Sequence, residues 1–233
     1  MPADRQTLIF DADDTLWENN VIFERTTDEF VTWVAGPDAD DAARARVRSV
    51  LTSVEETNIV TRGYGSAVYL QSLAETHAQV TGLAADPAAL ARLAEYATRF
   101  SYSTVELLPS VAEVLVHLGA RHDLYLMTKG TVEEQQRKID ASGLAARFAG
   151  VDIVAVKEPE TYRQLVADRD LDASRSWMIG NSPRSDILAA RAAGLRAVFI
   201  PNANTWAHEH AELDRRDVGI LHLATFAELV HHF

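Results

Sequence analysis

Two aspartates set two residues apart close a short apolar run, Leu8-Ile9-Phe10-Asp11-Ala12-Asp13-Asp14-Thr15-Leu16. Residues i and i+2 of an extended segment share a face, so Asp11 and Asp13 can converge on one ligand. Two like charges that close cost free energy unless a cation or a shared proton offsets them. The pattern suits a hard cation with oxygen ligands, with one carboxylate left to act as a nucleophile. The plain alternative is a strand that ends in a polar Asp-Asp turn and caps the next helix.

The elements that must position these side chains are written along the chain. Three further apolar runs each end in polar punctuation: Leu124–Met127 before Thr128-Lys129-Gly130, Val151–Val156 before Lys157-Glu158-Pro159, and Trp177–Ile179 before Gly180-Asn181 and onward to Asp186. A helical pattern follows each. Strand, polar loop and helix in repetition predict an α/β fold, a Rossmann-like parallel sheet flanked by helices with all four loops on one edge.

With these residues in order, the chain resembles the haloacid dehalogenase-like hydrolases over nearly all of its length. The family's Asp-x-Asp-x-Thr motif is matched by Asp11, Asp13 and Thr15. Its strand-ending Ser or Thr is matched by Thr128, its lysine by Lys157, and its Gly-Asp-x-x-x-x-Asp loop by Gly180 and Asp186. Asn181 stands where that loop carries its first Asp.

The resemblance implies a Mg²⁺-dependent phosphomonoester hydrolase of the capped phosphatase type. Asp11 is then the nucleophile and forms an aspartyl-phosphate. Asp13 is the general acid and base, and its backbone carbonyl is a metal ligand. Thr128, with the backbone of Lys129 and Gly130 at a helix start, holds phosphate oxygens. Lys157 offsets the charge of nucleophile and phosphoryl group, and Asp186 and Asn181 complete the metal site with Asp11 and Asp13. Each position has a simpler reading: Thr128 as a helix cap, Lys157 as a solvated lysine, Asn181 as a turn residue. Lysine is scarce, however, with only Lys129, Lys138 and Lys157 among 22 Lys and Arg, and two of the three fall at motif positions.

The span between the first two motifs is too long for a simple crossover and holds no convincing strand. It reads as four helices: one through Phe23, Phe30 and Trp33, one through Val47 to Val54, one through Val68 to Ala74, and one opened by Asp86-Pro87. Residues 17–104 are thus expected to form an inserted helical domain, which resembles the family's C1-type cap, with residues 1–16 and 105–233 as the catalytic core. Within it, Thr61-Arg62-Gly63-Tyr64-Gly65 reads as a glycine-flanked loop whose Arg62 and Tyr64 contact substrate, or as a plain interhelical turn.

Composition narrows the alternatives. A net charge of −12 argues against a nucleic-acid or anionic-membrane surface. The absence of cysteine excludes disulfides, thiolate metal sites and cysteine nucleophiles. No signal-like N-terminus and no membrane-length apolar run are present, so a cytoplasmic enzyme acting on a small-molecule phosphate ester is expected, with oligomeric state open. His208, His210, His231 and His232 lack the company for a metal site. A 2-haloacid dehalogenase is the nearest rival: it needs no metal and no acid for a halide, so Asp13 argues against it, while Asn181 leans toward it. A phosphonatase needs a cap lysine, and residues 17–104 contain none. A non-catalytic relic of the fold would have lost Asp11, Asp13 or Lys157.

Overall fold

The computed structural model describes residues 5–233, and the chain divides into two compact units, Met1–Asn20 with Ser103–Phe233, and Val21–Tyr102. The first unit is built on six parallel strands, β1 (Thr7–Phe10), β2 (Asp123–Lys129), β3 (Gly150–Val154), β4 (Ser176–Gly180), β5 (Arg196–Phe199) and β6 (Ile220–His222), in the order β3-β2-β1-β4-β5-β6. The α/β fold read from the sequence is therefore present. Alternation along β1 explains how the sheet is covered. Leu8 and Phe10 join Val114, Leu118, Ile139, Phe226 and Leu229 on one face, while Ile9 joins Met127, Met178, Tyr162 and Leu165 on the other.

Helices α5 (Val111–Gly119) and α6 (Val132–Ser142) supply the first face, and α7 (Pro159–Asp168) and α8 (Ala189–Ala192) the second. A π-helical segment, Pro183–Leu188, leads into α8. After β1 the chain makes a tight turn in which Asp14 adopts φ 61, held by amides of Asn19 and Asn20 donating to its Oδ1 at 3.0 Å. Residues 16–18 then run beside 106–108, with Glu18 N donating to Glu106 O and Leu108 N to Leu16 O, each at 2.9 Å. Trp17 is fully buried in the sheet's core, so it and its neighbours up to Asn20 belong to this unit.

The second unit holds α1 (Asn20–Ala35) beyond its first residue, α2 (Asp41–Arg62), α3 (Ser66–Thr81) and α4 (Pro87–Thr98). Asp40 and Asp86 cap α2 and α4 by accepting from the third amide of each helix, and Pro87 occupies the first turn. Phe30, Val47, Leu51, Tyr69, Leu73 and Tyr96 form a separate core.

Four details differ from the sequence reading. The Val151–Val156 run pairs only to Val154, because β3 is an edge strand and its partner β2 ends at Lys129. Strands β5 and β6 escaped notice because they span only Arg196–Phe199 and Ile220–His222. The sequence predicts a last helix around Phe226 to Val230, and the segment forms as a 3-10 turn, Phe226–His231. Thr61 and Arg62 are the last residues of α2, so the glycine-flanked loop shrinks to Gly63–Gly65, whose glycines take φ 82 and 137.

Candidate active site

The strand order reverses between β1 and β4, and ligands of open parallel sheets bind outside the carboxyl ends of strands at such a switch point. Asp11 follows β1 there, with its amide donating to Ile179 O at 2.9 Å. Its Oδ1 accepts from Lys157 Nζ at 2.5 Å and its Oδ2 from Thr15 Oγ1 at 3.0 Å. Lys157, between β3 and α7, also donates to Asp186 Oδ1 at 2.8 Å. The other oxygen of Asp186 accepts from Ser182 N at 3.0 Å. Gly180 makes this packing possible: a Cβ there would stand 2.2 Å from Asp186 Oδ2 and 2.8 Å from its Cβ.

Two carboxylates thus share one ammonium in a buried place. Burial, then the charge of Asp186, pushes Asp11 up to about 7 against the pull of Lys157. Burial alone pulls the Lys157 ammonium down, but Asp11 and Asp186 outweigh it and hold Lys157 above the usual lysine range. With both carboxylates ionised, the one ammonium leaves a negative charge unmatched.

Asp13 faces other partners. Its Oδ1 accepts from Trp17 Nε1 at 2.8 Å, and its Oδ2 from Gln135 Nε2 at 3.0 Å and Lys138 Nζ at 2.9 Å. Thr128, at the end of β2, donates its hydroxyl to Gln135 Oε1 at 3.0 Å. Lys129 pairs with Glu209, whose other oxygen accepts from Ser185 N at 3.2 Å. Gly130 follows with φ 148. Asn181 turns its Oδ1 to the Thr15 hydroxyl at 3.1 Å and donates through Nδ2 to Thr205 Oγ1 at 2.8 Å. Asp11, Lys157 and Asp186 thus form one bonded group that Thr15 extends to Asn181, Asp13 and Thr128 meet through Gln135, and Lys129 is tied through Glu209 to Ser185, the residue before Asp186. Arg62 lies in the second unit, exposed and paired with Glu75 at 3.4 Å, and Tyr64 is half-buried in the turn after it.

Lys138, Gln135, Trp17, Thr205 and Glu209 escaped the sequence reading. A signal existed for one of them: Lys138 is one of three lysines, and all three serve this network. Among the described residues no cluster of three or more His, Cys, Asp and Glu is arranged to hold a metal. The donor set nevertheless fits Mg²⁺, which takes one or two carboxylates and fills its other positions with water and substrate oxygens. Asp11 and Asp186 are hard oxygen donors with charge left to offset.

Known proteins share the sequence profile and the fold. The sequence profile of the haloacid dehalogenase-like hydrolases matches residues 6–194. A solved haloacid dehalogenase-like family hydrolase of Xanthomonas campestris is 26% identical, with a TM-score of 0.84 over 98% of this chain and 94% of its own. The 2-haloacid dehalogenase of Pseudomonas syringae pv. Tomato DC3000 shares the fold, at 19% identity and a TM-score of 0.59 over 97% of both chains. The phosphoserine phosphatase of Thermus thermophilus is 30% identical over 82 residues, and the chain spans only 33% of the length of that relative.

Proposed function

Because the chain belongs to the haloacid dehalogenase-like hydrolases, we propose that it is a phosphomonoester hydrolase acting on a small phosphorylated metabolite. The observation that carries this reading is the Asp13 carboxylate, kept two residues beyond the nucleophile and held by Trp17, Gln135 and Lys138. A halide leaves without a proton, whereas an alkoxide needs one, so a tended second carboxylate has work only with a phosphate ester.

Asp11 attacks phosphorus and carries the phosphoryl group, which divides one hard hydrolysis into two steps. Asp13 gives a proton to the leaving oxygen and takes one from the attacking water. The Thr128 hydroxyl and the amides of Lys129 and Gly130 receive phosphoryl oxygens, and Lys157 keeps Asp11 in place while offsetting its charge. Asp11, Asp186 and the Asp13 carbonyl would hold Mg²⁺, with Asn181 beside them. The ion, when bound, would supply further positive charge at the phosphoryl oxygens. These core loops recognise only the phosphoryl group, so we assign selection among leaving groups to the unit Val21–Tyr102, with Arg62 and Tyr64 as its contacts.

One observation favours a second reading. Asn181 leaves the fourth motif short of one charge, and a 2-haloacid dehalogenase would tolerate that. Phosphate release over a panel of phosphorylated metabolites, with Mg²⁺ and with chelator, decides between them. Mg²⁺-dependent phosphate release is expected, and chelator-resistant halide release from 2-haloacids without phosphate release would hand the chain to the rival.

A further inference from the structure

One side chain joins two parts of the site that the proposed chemistry treats separately. Gln135 donates to Asp13 Oδ2 at 3.0 Å and accepts from Thr128 Oγ1 at 3.0 Å. It lies three residues before Lys138 on α6, so both face the same way. Both are buried, at 2% and 1% exposure. Polar groups on a buried helix face are costly unless their hydrogen bonds are kept, so the two positions are committed to this network. The loop backbone is shaped around it as well. A Cβ on Gly130, which has φ 148, would come within 3.0 Å of Gln135 Nε2.

The geometry points to Gln135 as a positioning residue that reports phosphate binding at Thr128 to Asp13. The idea rests on the phosphomonoesterase reading above. A threonine hydroxyl has one proton to donate, so Thr128 cannot serve Gln135 Oε1 and a phosphoryl oxygen together. Before substrate binds, the hydroxyl holds the amide, and the amide holds Asp13 Oδ2. When a phosphoryl oxygen accepts the hydroxyl hydrogen bond instead, Oε1 loses its donor and the amide is released to turn. Bound then to Asp13 alone, it swings with the carboxylate and holds Oδ2 toward the leaving-group oxygen. Trp17 and Lys138 keep the carboxylate from drifting meanwhile. The carboxylate is thus aimed only once the phosphoryl group is seated.

The test uses the full chain and two substitutions. Gln135→Glu keeps the acceptor for Thr128 but loses the N–H that reaches Asp13, and Gln135→Met loses both at similar volume. Each is assayed with p-nitrophenyl phosphate, whose leaving group needs no proton, and with an alkyl phosphate, whose leaving group does. Both variants should lose about tenfold or more in kcat on the alkyl ester and less than about threefold on the aryl ester, with KM little changed. Adding Gln135→Met to Asp13→Asn should cost nothing further, because the residue acts through Asp13. Equal losses on both esters, no loss on either, or full additivity with Asp13→Asn would overturn the coupling. Should Gln135→Met melt early by circular dichroism, Gln135→Glu decides alone. If wild type releases no phosphate, the function itself is wrong and the coupling falls with it; if Asp13→Asn loses both esters equally, the acid role of Asp13 falls, and the coupling with it. If Asp13→Asn discriminates between the esters and the Gln135 variants do not, only the coupling fails.

Discussion

Asp11 and Gly180 show how much rests on single atoms. Asp11→Asn keeps the shape and the Thr15 contact but removes the attacking anion, so turnover should fall by more than about a thousandfold, roughly 4 kcal/mol of barrier. Steady-state phosphate release near the wild-type rate, from protein purified free of other phosphatases, would remove Asp11 from its role. Gly180→Ala works by crowding. The new methyl would meet Asp186 at its carboxylate and at its Cβ, and the Cβ is fixed to backbone that cannot swing away. A stability loss of about 1–3 kcal/mol should appear in chemical denaturation, together with a drop in activity as Lys157 loses its second carboxylate. An unchanged midpoint would mean that the π-helical segment yields easily. The motif residues were legible because their chemistry demands particular side chains at particular spacings. Gln135 and Lys138 were not, because a glutamine and a lysine on a largely polar helix look like solvated surface until the fold buries them.

At the scale of elements, the sheet was readable from its apolar runs and its parallel order from the alternation with helices. The shortest strands were not, since three or four residues carry too little pattern to stand out. One link between elements is testable by pH. Glu209 joins the end of β2, through Lys129, to the π-helical segment, through Ser185 N. Burial raises its carboxyl, but Lys129 and the Ser185 contacts win, and the group sits below the usual 4.5. A lowered folded value means that the contribution to stability is complete above the unfolded pKa and is lost as pH falls through the folded one. Glu209→Gln takes a charged partner from Lys129 and should cost about 2 kcal/mol near neutral pH. The gap between the melting curves of variant and wild type should narrow as pH drops below about 4.5. A gap that stays constant into acid would show that the ion pair contributes nothing to the folded state.

For the whole molecule, the proposed division of labour predicts that substrate choice and chemistry can be damaged separately. Arg62→Ala and Tyr64→Ala should lower kcat/KM for the physiological ester by about tenfold or more while leaving p-nitrophenyl phosphate within about threefold, because remote contacts orient only a substrate that offers something to grip. Stability should hardly move, since the Arg62–Glu75 pair is exposed. Matching losses on both esters would reassign the turn to folding. Among the described residues no helix is long and apolar enough to cross a membrane. The short antiparallel pairing of 16–18 with 106–108 has a consequence for ancestry. It clamps the two ends of the Val21–Tyr102 excursion side by side within the other unit's frame. Closing a longer excursion between clamped ends costs only logarithmically more, so that frame is nearly indifferent to what hangs from it. Such a frame tolerates grafts, trims and replacements of the excursion without disturbing the aspartates next door, so on the proposed division of labour substrate range is free to change by swapping the insert while the chemistry stays in place.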